Sequence, residues 1–398
     1  MGDAQDRERR FVLDRRRFLG LTGGAAAAAF LASCGLSGDD GATTTGPSPT
    51  GSTGAASPSP LPPVGGPFNY YTWEGYDTAG DFTKWFKDNG IELNTKYISG
   101  PEEVPTVLKG PGGDQWDASY GDNVVLLYFK ELGILTPLTE EQVPGLAGLM
   151  PAFQVPPFKN EDGTYNAVPW TWGFSGVTYR TDRVPEPTSW HDLLDPKYEG
   201  RVSTIDSALN NVALGSLAVG IDPDTLTSDQ LNGEVKEYLT SLVGQIKALA
   251  PTIGDSISLL LSGDVDYMVV GLAFMDSVTA DEGIPTETIV PSEGAIGWND
   301  SVFLTPTAPN PQNALAFMNH LVDPAANAEA NSSILQGPGV QAAIPLLSKE
   351  AAAQYPFDDI DNYLSNTLTF NQGFPHEPDG DRATYDEVLA LWEEVKGS

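Results

Sequence analysis

Two changes of hydrophobic period between residues 68 and 97 restrict the fold more than any other feature of this 398-residue chain. Residues 68–73 are rich in aromatics, as a short buried strand is. Residues 78–89 then place Phe82, Trp85 and Phe86 at helical spacing, with Gly90 as the C-terminal stop. Ile91, Leu93, Thr95 and Tyr97 alternate, which predicts a second strand. A strand, a helix and a strand in succession imply a parallel sheet. The rhythm continues with helices over 102–109 and 123–132 around a strand at 116–120. Further on, a helix closes at 257–261, a buried strand runs over 265–270, and helices follow over 313–322, 325–335 and 385–396. The last carries Val388, Trp392 and Val395 on one stripe, and no repeat of fixed period interrupts the pattern. The prediction is an α/β protein.

What precedes residue 68 has a different character. Residues 35–66 are dominated by Gly, Ser, Thr, Pro and Ala, a composition that cannot bury a core and serves as a tether. Before it, an apolar run over 18–32 is about fifteen residues long, short of the roughly 20 a membrane-spanning helix needs. Asp14-Arg15-Arg16-Arg17-Phe18-Leu19 stands ahead of that run, and Leu31-Ala32-Ser33-Cys34 closes it with the only cysteine of the chain. These stretches resemble a twin-arginine export signal and a lipoprotein cleavage box. The likeness implies that residues 1–33 are removed and that Cys34 carries the lipid. The expected location is the extracytoplasmic face of the cell membrane. No second long apolar run appears, so the remainder is expected to be soluble.

The first 33 residues hold six arginines and four acids, leaving 15 basic against 50 acidic residues, a net charge of −35. Such a surface repels phosphate backbones and excludes nucleic-acid binding. The charge also concentrates a cationic ligand, although a solvated acidic surface needs no ligand to explain it. With its cysteine spent on the lipid, the exported part has no disulfide. About 330 residues bury enough surface to fold without one, and two lobes are the natural expectation at that length.

Catalytic chemistry is missing. His191, His320 and His376 are scattered without metal spacing. There is no His-Glu-x-x-His, no cysteine pair, no phosphate-cradling glycine loop and no nucleophile elbow. Gly173-Phe174-Ser175-Gly176 comes near the elbow but lacks its final glycine, and Asp358, Asp359 and Asp361 lack the spacing of a calcium loop. An enzyme, a metal and a cofactor are therefore not expected. What is present is a set of aromatics beside carboxylates in segments read as loops. Thr72-Trp73-Glu74-Gly75-Tyr76 follows the first strand, Gly121-Asp122-Asn123 follows the third, and Gly297-Trp298-Asn299-Asp300-Ser301 again pairs an indole with an acid. Ring faces and carboxylates together suit an alkylammonium ion. The alternative is that Trp73 and Trp298 are core residues and the acids are caps.

These segments, with Pro169-Trp170-Thr171-Trp172-Gly173, Thr188-Ser189-Trp190, Pro196-Lys197-Tyr198-Glu199-Gly200, Gly263-Asp264-Val265-Asp266 and Pro291-Ser292-Glu293-Gly294, give the chain its likeness to a family. Over 68–396 it resembles the periplasmic spermidine/putrescine-binding proteins of ABC importers. The resemblance implies a two-lobed periplasmic-binding-protein-like fold of type II, with a ligand cleft between lobes. Lobe 1 would take 67–173 plus 298–344, and lobe 2 would take 174–297 plus 345–398. It also implies a monomer, hinge closure on the ligand, and delivery to a membrane permease with its ATPase. By the same likeness Trp73 and Tyr76 (with Glu74 between them) form an aromatic wall, Trp298 stacks on the polyamine and Asp300 pairs with an ammonium group. Asp122 is a polar contact, and Gln372 matches a late glutamine.

Four positions depart from the family. Its two second-lobe acids correspond here to Ser207 and Asn210, a tryptophan at the end of the buried strand to Gly271, and a late tyrosine to the neighbourhood of Pro338-Gly339. A shorter diamine, a monoamine or another small polar solute therefore stays open as the ligand. So does an extracytoplasmic sensor lipoprotein on the same fold.

Overall fold

The computed structural model describes residues 64–98 and 100–397. The expected export signal, Cys34 and nearly all of the tether lie outside the described residues. The opening crossover is as expected: strand β1 (Gly66–Thr72), a helix (Phe82–Asp88) and strand β2 (Ile91–Tyr97) paired parallel to β1. Strand β3 (Ala118–Asp122) joins β1 on its other side, again parallel.

A long strand, β4 (Val168–Arg180), is the main element that periodicity missed. All thirteen of its residues are buried, so no polar–apolar alternation marks it. After β4 come β5 (Val202–Ile205), β6 (Ile246–Ala250), β7 (Tyr267–Gly271) and β8 (Thr286–Ile289). Strand β9 (Ala295–Leu304) corrects a second reading: the Gly297–Ser301 stretch is the middle of a buried strand and not a loop. Two short strands, β10 (Gly337–Pro338) and β11 (Leu368–Thr369), complete the sheet.

The strand order is β2-β1-β3-β9-β4-β7-β5-β6. At one end β2, β1 and β3 run parallel, and at the other β7, β5 and β6 do so. Between them β9 is antiparallel to β3 and to β4, and β4 is antiparallel to β7. Strand β4 serves both halves. Val168 to Ser175 pair with β9, whereas Gly176 to Arg180 pair with β7 and β8.

Side chains collect into separate apolar clusters. One gathers Phe68, Phe82, Phe317 and Trp170 around the β2-β1-β3 end. Another gathers Trp190, Leu239, Val269 and Trp392 around the β7-β5-β6 end, including the predicted stripe of the last helix, Tyr385–Lys396. A third, with Phe129, Phe153, Trp172 and Phe303, backs the middle strands. Among the described residues no helix is long and apolar enough to cross a membrane.

Candidate functional site

The register of the middle strands decides which polar side chains meet. Asp122 on β3 stands directly opposite Asp300 on β9, and Asp300 stands opposite Thr171 on β4. Opposite residues of an antiparallel pair point to the same face, about 5 Å apart at Cβ. Two carboxylates are thereby set side by side in the centre of the sheet, 9 % and 7 % exposed.

Tyrosines hold them. The Tyr120 hydroxyl lies 2.7 Å from Asp122 Oδ2 and 3.1 Å from Asp300 Oδ1, bridging the pair. Tyr76 donates to Asp300 Oδ2. Asp122 Oδ1 also accepts from the backbone of Val124 (3.0 Å) and Val125 (3.2 Å), which turns the chain into the helix Leu126–Glu131. Tyr76 reaches the pair because residues 73–78 form tight turns, in which Gly75 adopts φ +92°, a conformation that favours glycine. Its ring is edge-on to Trp170, with centroids 4.9 Å apart.

No cation answers these charges: among the described residues neither carboxylate has an ion pair with Lys, Arg or His. Burial pushes Asp300 up to about 7, against the opposing pull of the Tyr76 hydrogen bond, and the neighbouring Asp122 charge adds to the rise. Burial likewise pushes Asp122 up to about 6. Burial and the nearby acid charge (Asp300 for Tyr76, Asp122 and Asp300 for Tyr120) hold both tyrosines well above their ordinary value, so they remain donors. The arrangement is a buried acid pair whose ionised form is unfavourable, which a cation supplying several N–H donors would relieve.

Trp298 lies two residues along β9 on the same face, opposite Gly173 of β4. Its ring covers that glycine so closely that a Cβ there would fall 2.2 Å from Cζ2. The indole is half-buried, and its Nε1 is buried without a hydrogen-bond partner. Trp73, also half-buried, is edge-on to Tyr120 at 5.5 Å. The structure therefore brings Trp73, Tyr76, Asp122, Trp298 and Asp300 together. Glu74 is exposed on the turn between them.

The remaining candidates sit differently. Ser207 is the N-cap of the helix Ala208–Ala218; its hydroxyl accepts from the Asn210 backbone and, at 3.0 Å, from the Asn210 amide. Ser207→Ala should cost about 1 kcal/mol of stability. A denaturant melt showing no loss would remove the cap from the account. Gln372 donates its backbone N–H to Asp224 at 2.7 Å. Gly271 backs onto β4, where a Cβ would meet the Thr178 nitrogen at 2.3 Å, so no larger residue fits there.

Three further residues were not anticipated. Tyr120 could have been found, since it lies two positions before Asp122 on one strand face. Thr171 was quoted in a motif, but its role needed the register. Gln336 had no local signal. Its Oε1 accepts from Thr171 Oγ1 at 2.7 Å and lies 3.5 Å from the Tyr76 hydroxyl. Leu335 just before it adopts φ +55°, the only non-glycine residue with positive φ among the described residues. Leu335 is the left-handed C-cap of the helix Pro324–Ile334, its N–H bonded to the Asn331 carbonyl, and this stop sets Gln336 beside the cluster.

Known proteins share this architecture. The spermidine/putrescine-binding periplasmic protein of Salmonella typhimurium is 24% identical over 292 residues, 71% of this chain and 80% of the relative. The spermidine/putrescine ABC transporter substrate-binding protein of Streptococcus pneumoniae superposes with a TM-score of 0.68 at 21% identity, covering 83% of this chain and 99% of that one. The Tp0655 lipoprotein of Treponema pallidum gives a TM-score of 0.69 at 16% identity, covering 83% and 100%. The fold is thus the two-lobed α/β fold of the periplasmic binding proteins. Residues 78–355 match the family described as bacterial extracellular solute-binding protein. That match spans well over half of the chain, and its members bind solutes instead of transforming them: this chain belongs to the bacterial extracellular solute-binding proteins.

Proposed function

We propose that the protein is the capture component of an ABC importer for a polyamine or a related small amine, bound at Asp300 and Asp122. The observation that carries the reading is the buried carboxylate pair with no cation of the protein beside it. A primary ammonium ion would supply both charge and donors there, and Trp298 and Trp73 would cover its methylenes. The relatives named for spermidine and putrescine support the same chemistry.

In this reading the lobes are 67–173 plus 298–344 and 174–297 plus 345–398. They meet where β4 passes from one half of the sheet to the other. The ligand closes them by binding the closed state better than the open one, and the closed form docks on a permease whose ATPase drives import. The protein works as a monomer, exported by the twin-arginine route and held at the extracytoplasmic face through a lipid on Cys34. The sequence around Cys34 and the Treponema pallidum lipoprotein of the same fold support that placement. Ser207, Asn210 and Gln372 would border the far side of the cleft.

A thermal-shift screen of residues 64–398 against diamines, polyamines, amino acids and sugars tests the ligand class. Stabilisation by amines is expected, and stabilisation by another class with none by amines would overturn it. The pair also sets a pH dependence. A proton on either carboxyl competes with the ligand, so affinity should fall roughly tenfold per pH unit below about 7, where Asp300 protonates, and more steeply below about 6, where Asp122 follows. Calorimetric titration from pH 8 to 5 checks this, and a flat affinity would place the ammonium elsewhere.

A further inference from the structure

Resting on the amine reading, we infer that the site takes a ligand with one buried primary ammonium ion on a short apolar stem, so that a second positive charge adds little. Along the face of β9 that carries Asp300, every second residue is Val302, Asp300, Trp298 and Ile296. Val302 belongs to the apolar cluster at the β1 end and Ile296 to the one at the β7 end. The ligand-facing part of the strand is thus one acid and one indole, about 7 Å of chain between two dry cores. Both uncompensated carboxylates lie at the acid end.

Three acids of the second half have partners within the protein. Asp206 accepts from Trp392 Nε1 at 2.7 Å and from Lys396 Nζ at 3.1 and 3.2 Å. Asp224 accepts the Gln372 N–H at 2.7 Å. Asp276 accepts from Thr286 Oγ1 and the Thr288 backbone, each at 2.8 Å. Ser207 and Asn210 are neutral and bonded to each other. The Asn210 helix starts near the acid pair, because Leu209 lines a small cavity of about 20 Å³ with Val124 and Val125, which follow Asp122. A second ammonium reaching the start of this helix would meet the uncharged Ser207 and Asn210.

Rings of Trp73, Tyr76, Tyr120 and Trp298 lie at the site, but they do not face the ligand alone. The two acids and the Gln336 amide present hydrogen-bonding groups, which call for N–H donors.

Isothermal titration at pH 8 with 4-amino-1-butanol, putrescine and tetramethylammonium tests this. The monoamine is expected within about fivefold of putrescine, with tetramethylammonium at least about thirtyfold weaker than either. Putrescine binding more than about thirtyfold tighter than the monoamine would overturn the single-charge claim, and equal binding of tetramethylammonium would overturn the primary-amine claim. As an independent arm, Asn210→Asp should raise the putrescine-to-monoamine affinity ratio at least about fivefold. An unchanged ratio would show that the stem does not point to this helix and would sink the argument. Failure of all three probes to bind would instead refute the amine reading beneath it.

Discussion

Asp300→Asn is expected to weaken amine binding about a hundredfold or more and to make the ligand-free protein more stable at pH 8. The first effect follows from removing one partner of a buried charge contact, which costs about 2–5 kcal/mol. The second follows from the same burial. The Asp300 carboxyl rises from an ordinary 3.8 to about 7, so the folded protein binds its proton more tightly than the unfolded chain does. A raised acid contributes stability that is present below about pH 4 and lost as pH climbs through about 7. At pH 8 the empty site therefore holds an unfavourable charge that an amide does not carry. The gain should be on the order of 2 kcal/mol, a rise of a few degrees in Tm, because the amide keeps part of the contact with Tyr120. Thermal melts at pH 5 and 8, with and without amine, read both effects. A variant that binds normally would show that the ligand never touches Asp300. One that binds poorly and melts lower would make Asp300 a structural residue.

Asn123→Ala should destabilise the protein by about 3 kcal/mol without changing any charge. Asn123 follows the acid of β3, is 1 % exposed, and uses both ends of its amide. Nδ2 donates to the Asn371 carbonyl at 2.8 Å and to the Gly297 carbonyl at 3.4 Å, while Oδ1 accepts the Asn299 N–H at 2.9 Å. Alanine would leave those backbone groups buried and unpaired at the junction of β3, β9 and the segment after β11. Ser301 Oγ, at 2.8 Å from Asn299 Oδ1, is too far along the strand to replace the lost bonds. Denaturant unfolding gives the measurement. A loss below about 1 kcal/mol would mean that water satisfies the site and that the junction is looser than its hydrogen bonds imply.

The sequence alone determined the class of fold and singled out aromatics beside acids as the candidate site. Phe82, Trp85 and Phe86 could only form one face of a helix, and Ile91 to Tyr97 only a strand, because period follows from backbone geometry. Trp298 and Asp300 stood out through the family likeness of the stretch that holds them, since an indole two residues before an acid also occurs at Trp190–Asp192 and Trp392–Glu394.

What the tertiary structure decided was the state and partnership of those residues. Gly297-Trp298-Asn299-Asp300-Ser301 has the composition of a turn, yet it lies between β3 and β4, where flanking strands satisfy its backbone. Strand β4 hid its period because both its faces are covered. The gathering of Asp300, Asp122, Tyr76 and Tyr120, with Gln336 on Tyr76, depends on contacts between residues as many as 260 positions apart. Local sequence carries propensity but no record of register, and register alone made two ordinary aspartates into one buried, unneutralised site.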